Sequence, residues 1–151
     1  MSSLKQSTTF PREASRRHTT IASLPAATWF LFVMVLLSLP GKSFPVVEIW
    51  KPDKIAHLLL FGTQFVLLWI ALEIPTRRSF AGITPMQFAA IATIIFGVLS
   101  EGYQGAFTTR TADPFDMIAN GIGVLCTVGI VLAIRPARVL TFMRKILRIP
   151  A

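Results

Sequence analysis

The stretch Ile55–Leu72, IAHLLLFGTQFVLLWIAL, runs eighteen residues without an Asp, Glu, Lys or Arg. It thereby reaches the ~18 residues that mark a membrane-spanning helix. Three further stretches share the property: Thr19–Gly41, Ser79–Ser100 and Met117–Ile134. In a chain of 151 residues this leaves little for a soluble domain. Composition agrees, at 53% hydrophobic and 15% charged with mean hydropathy +0.63, where soluble domains carry roughly 25% charge. An ordinary soluble enzyme is excluded, and the expected fold is all-α: a four-transmembrane-helix bundle with a short C-terminal amphipathic interfacial helix.

Local signals set the boundaries. Residues 1–20 are basic and Ser/Thr-rich without apolar period, so they read as a disordered arm. The first span then runs from Ile21 to Leu39 and stops at Pro40-Gly41. Basic residues ahead of Trp29–Leu39 resemble the opening of a signal peptide, but the run is long for one and no small-x-small cleavage pattern follows it. The second span runs from Pro52-Asp53 to Leu72, after a loop in which Trp50 is suited to an interfacial anchor. Thr84-Pro85-Met86-Gln87 fits a capping box opening the third, and Asp113-Pro114-Phe115-Asp116 caps the fourth. The spans occupy 21–135, and 136–151 form a basic tail. There Val139, Leu140, Phe142, Met143, Ile146, Leu147 and Ile149 fill one helical arc, while Arg138, Thr141, Arg144, Lys145 and Arg148 fill the other. Such a helix suits the surface of anionic lipid.

Net charge is +8 with a pI near 10.9, values that in a soluble chain point to nucleic acid. Topology accounts for them instead, and no nucleic-acid partner is expected. Lys5, Arg12, Arg16, Arg17, Arg77, Arg78, Arg135, Arg138, Arg144, Lys145 and Arg148 fall on one side, and Lys42, Lys51, Lys54 and Arg110 on the other. This asymmetry places both termini in the cytoplasm. The lone Cys126 lies in an apolar stretch and reads as a packing residue. Gly121 and Gly123 lack the strand and acidic partner of a dinucleotide site and read as close helix packing.

The residues that carry chemistry sit at helix ends facing one compartment: Asp53, His57, Glu101, Gln104, Arg110, Asp113, Asp116 and Asn120. Three- and four-residue spacings give Asp53 and His57 one face, Glu101 and Gln104 another, and Asp113, Asp116 and Asn120 a third. A helix starting at Pro85 reaches Glu101 after about 24 Å, inside a ~30 Å hydrocarbon core. A central charge there costs ~2.5–3.5 kcal/mol on insertion scales, so such groups must pair or line a wet cavity. Structural readings compete. Asp113 and Asp116 serve as caps, Asp53 complements a helix dipole, and His57 and Asn120 bond between helices. Arg110 reads as a counterion of Glu101 or a phosphate binder. One histidine among carboxylates could hold a hard divalent ion, but no metal motif is present, so neither metal nor cofactor is assigned.

Taken together, Asp53-Lys54-x-x-His57 with Phe61, Ser100-Glu101-x-x-Gln104, and Arg110-x-x-Asp113-x-x-Asp116-x-x-x-Asn120-x-x-Gly123 resemble the VanZ-like family of small bacterial membrane proteins. The likeness spans Pro52–Ile134, and Thr127 departs from it where a further glycine would be expected. It implies a multi-pass protein of the bacterial cytoplasmic membrane linked to the cell envelope and, for the namesake, to glycopeptide resistance, chiefly to teicoplanin. It supplies no reaction.

Two functions follow as expectations. The first is a nonenzymatic protein binding membrane lipid, a lipid-linked precursor or an amphiphilic antibiotic, with Gln104, Arg110, Asp113, Asp116 and Asn120 as ligand contacts. The second is a membrane-embedded hydrolase or transferase with Asp53, His57 and Glu101 as acid/base candidates. Proton-coupled transport lacks the repeats and broken helices it would need.

Overall fold

The computed structural model describes residues 10–39, 52–76 and 82–149. Its elements are α1 (Phe10–Ser38), α2 (Pro52–Thr76), α3 (Pro85–Phe107), α4 (Pro114–Ile134) and α5 (Pro136–Ile146). The first four are long and apolar enough to cross a membrane. The chain is thus an all-α, multi-pass membrane protein, as its charge-free stretches require.

α2 is the axis of the bundle. Half of its span is buried inside the protein, against 22–28% for the other three, and it packs on α1, α3, α4 and α5. The cause is one stripe at four-residue spacing, His57, Phe61, Phe65 and Trp69, each almost wholly buried. Phe61, Phe65 and Trp69 form the core with Val33 and Leu37 of α1, Ala89 of α3 and Val124 of α4. On α3 the buried stripe is Ala89, Thr93, Gly97 and Glu101, small until its last member. On α4 it is Asp116, Asn120 and Val124. Each stripe turns polar at the same end, where α2 and α4 begin and α1 and α3 finish.

The caps are those the residue types demand. Thr84 Oγ1 accepts from Gln87 N at 3.2 Å while Gln87 Oε1 accepts from Thr84 N at 2.9 Å, and Asp113 Oδ1 accepts from Phe115 N at 2.9 Å. Gly123 lets α4 touch α2, because a Cβ there would run into the Leu58 backbone. Thr127, the departure from the family pattern, is accommodated across the same interface by Gly62. Its hydroxyl lies 2.6 Å from where a Gly62 Cβ would stand and donates to Gly123 O at 2.8 Å. Gly121 differs from expectation: a Cβ there meets nothing within 4 Å, so it makes no close helix contact.

One further expectation is corrected. The stretch expected to be disordered is helical from Phe10 onward. Once the span has nucleated a helix, each added residue costs only propagation, and Glu13, Ala14, Arg16 and Arg17 are good formers. α5 is the short C-terminal amphipathic helix expected, and within its apolar arc Val139, Leu140, Met143, Leu147 and Ile149 pack against the bundle core. Phe142 and Ile146 remain exposed. Arg144 Nη2 donates to Ile74 O at 3.3 Å, fixing α5 to the end of α2. The turn between α4 and α5 passes through Arg135 at φ +76°, a left-handed conformation rare outside glycine. Pro40-Gly41, Trp50 and the Arg77-Arg78 loop lie outside the described residues.

Candidate functional site

At the polar end of the bundle the first turn of α2 supplies Asp53, Lys54 and His57. The last turns of α3 supply Glu101 and Gln104, the loop into α4 supplies Arg110 and Asp113, and the first turns of α4 supply Asp116 and Asn120. Seven of the eight residues expected from the sequence are linked here together with Lys54, while Gln104 turns to α1. His57, Glu101, Gln104, Asp116 and Asn120 are buried, while the Asp53 side chain is 47% exposed.

The interactions connect the helices rather than running along them. Lys54 Nζ donates to Asp113 Oδ2 at 2.8 Å and Asp116 Oδ1 at 2.6 Å, and lies 5.5 Å over the Phe115 ring. Asp113 therefore serves as helix cap and as ion-pair partner at once. Arg110 Nη2 donates to Asp53 Oδ1 at 2.9 Å. Arg110 was expected as a counterion of Glu101 or a phosphate binder, and its described ion-pair partner is the carboxylate at the mouth of α2. Glu101 Oε2 instead accepts the Asp113 backbone N–H at 3.2 Å, tying the end of α3 to the start of α4. Gln104 Nε2 donates to Leu37 O at 3.1 Å and satisfies a terminal carbonyl of α1. For Gln104 this structural bond accounts for the burial.

His57 is the centre of the arrangement. Its Nδ1 lies 2.9 Å from Asn120 Oδ1 and 3.7 Å from Glu101 Oε1. Its Nε2 lies 3.7 Å from Asp116 Oδ2 and 4.0 Å from Asp53 Oδ1. The Asn120 amide donates its Nδ2 to Gly97 O at 3.3 Å, which leaves Oδ1 facing the imidazole. Since Oδ1 only accepts, Nδ1 must carry a proton and donate. Phe61 lies parallel to the imidazole, with ring centroids 6.3 Å apart, and backs it on the core side. Glu101 is 0% exposed, and its Oε1 has no hydrogen-bond donor among the described residues.

Formally, four carboxylates (Asp53, Glu101, Asp113, Asp116) face two fixed cations (Lys54, Arg110), so the cluster has two surplus negative charges. One ligand atom each from Asp53, His57 and Asp116 lie within 4.8 Å of one another, a spacing a metal ion can gather. Lys54 was read only as a loop charge and a place in the family motif. Its position one residue after Asp53, at the same helix mouth, was the available signal. A cleft of about 410 Å³ between α1, α2 and α3 includes Gln64 and Thr93, whose Oε1 and Oγ1 are buried without hydrogen-bond partners among the described residues. Another of about 690 Å³ lies under α5 at the opposite end. None of the eight expected residues lines either cleft.

Set against protein-family models, curated proteins and solved structures, the chain matches none. Its resemblance to a family therefore rests on the residue spacings themselves.

Proposed function

We propose that the chain is a VanZ-like integral protein of the bacterial cytoplasmic membrane, with both termini cytoplasmic and its polar cluster beneath the outer leaflet. There it binds the polar part of a lipid, a cell-wall precursor or an amphiphilic antibiotic. The observation that carries this reading is Glu101, a wholly buried carboxylate with an unsatisfied oxygen among eight convergent polar groups. An isolated acceptor of this kind costs free energy unless a donor reaches it. With two surplus negative charges and Arg110 held by Asp53, the cluster suits ligand hydroxyl, amide or ammonium groups better than a bare phosphate.

A second reading has its own support. His57, oriented through Nδ1 by Asn120, directs Nε2 toward Asp53 and Asp116, the geometry of an imidazole base positioned by a third group. A membrane-embedded hydrolase or transferase would use it so. Glu101→Gln, His57→Ala and Arg110→Ala, expressed at equal membrane levels and assayed for glycopeptide susceptibility, lipid binding and lipid turnover, separate the readings. Lost binding supports the first; lost turnover with binding retained supports the second. Wild-type behaviour of all three overturns both.

A further inference from the structure

The geometry points to a divalent-cation site formed by Asp53, His57 and Asp116, a function separate from whichever ligand the cluster takes. Ligand atoms of these three side chains lie within 4.8 Å of one another. Because Nδ1 donates to Asn120, a neutral imidazole presents a bare lone pair at Nε2. The charged groups within 4.0 Å of that nitrogen, among the described residues, are the carboxylates of Asp53 and Asp116. Three electron-pair donors thus face one another, Asp53 through the oxygen that Arg110 also engages at 2.9 Å, and a metal ion can gather them.

Lys54 engages Asp116 through Oδ1 and leaves Oδ2 on the His57 side. The ligand atoms are 3.7 and 4.0 Å apart where they meet His57, and all lie within 4.8 Å. Metal–ligand bonds of ~2.0–2.2 Å require neighbours roughly 3–3.6 Å apart, a closure of under about 2 Å that a half-exposed Asp53 at a helix mouth can supply. Asn120 is the supporting sign, its carbonyl oxygen 2.9 Å from Nδ1 on the far side of the imidazole from the proposed ion, with Glu101 Oε1 at 3.7 Å beside it. Metal-bound histidines carry a carboxylate or carbonyl partner at that outer nitrogen. One imidazole with two carboxylates suits Zn²⁺ or Mn²⁺, and three protein ligands leave a coordination position open, as in reactive metal sites.

The test uses the full chain in detergent, stripped with chelator and titrated with Mn²⁺ by electron paramagnetic resonance. One ion per chain is expected, with nitrogen coupling from a single imidazole. Asp53→Asn, at an exposed position that leaves the core intact, weakens binding at least tenfold, and Asn120→Ala weakens it about 10–100-fold. His57→Gln removes the nitrogen coupling, and Glu73→Gln at the other end of the bundle changes nothing. Absence of Mn²⁺ and Zn²⁺ binding overturns the site. So does binding indifferent to Asp53→Asn and His57→Gln, or a His57 Nε2 proton that persists at saturating metal. Because no lipid or antibiotic is added, these outcomes are independent of the ligand-binding assays.

Discussion

Lys54 is the residue on which the charge balance of the cluster most depends, since it bridges a helix cap and a buried carboxylate. Its ammonium lies within hydrogen-bond distance of both Asp113 and Asp116, and Asp116 has almost no solvent to fall back on. Arg110 makes an ion pair of comparable length, but its partner Asp53 is half exposed and stays hydrated when the arginine is lost. Exposed pairs contribute ~0–1 kcal/mol, whereas leaving one buried charge unpaired costs several. Lys54→Met should therefore lower the melting temperature in detergent well beyond Arg110→Met, and Asp116→Asn added to Lys54→Met should recover part of the loss. Equal effects of the two single substitutions would show that Asp116 is not desolvated in the folded protein. Within one helix such groupings are readable, because three- and four-residue spacings fix which side chains share a face. The choice of Asp53 over Glu101 by Arg110 was not, because it depends on the rotation and depth of three different helices.

The helices themselves were legible for a physical reason: their caps and stripes are local. Thr84 with Gln87, and Asp113 with Phe115, satisfy amides two or three residues away, so residue identity suffices to place them. The start of α1 and the docking of α5 were not local. The first depends on propagation from a span already formed, the second on a core assembled from other elements. Glycine shows the same division. Gly121 and Gly123 look alike in sequence, yet only Gly123 stands where α4 meets the Leu58 backbone. Gly123→Val should force α2 and α4 apart and destabilise the bundle by roughly 1–3 kcal/mol or more. Gly121→Ala should be neutral or stabilising by about 0.5–1 kcal/mol, because alanine is the better helix former and nothing obstructs it. Thermal unfolding of the two variants in one detergent checks this, and a greater loss at Gly121 would mean that the α2–α4 register is other than described.

At the scale of the whole molecule, the two ends of the bundle are chemically opposite. One end gathers Asp53, Glu101, Asp113 and Asp116, and the other carries α5 with Arg144 and Lys145. On the proposed orientation the basic end lies at the cytoplasmic face and the acidic end outside, where the cluster would be within reach of envelope ligands. Thr109 and Thr141 are exposed positions near these opposite ends, so they test the arrangement together. In a Cys126→Ser background, Thr109→Cys should react with a membrane-impermeant maleimide on intact cells, and Thr141→Cys only after permeabilisation. Reaction of both from one side would contradict the placement of α5 opposite the cluster. The reversed pattern would keep the bundle but turn the cluster toward the cytoplasm, where an outer-leaflet ligand could not reach it, and the proposed binding role would fall while the metal site stood.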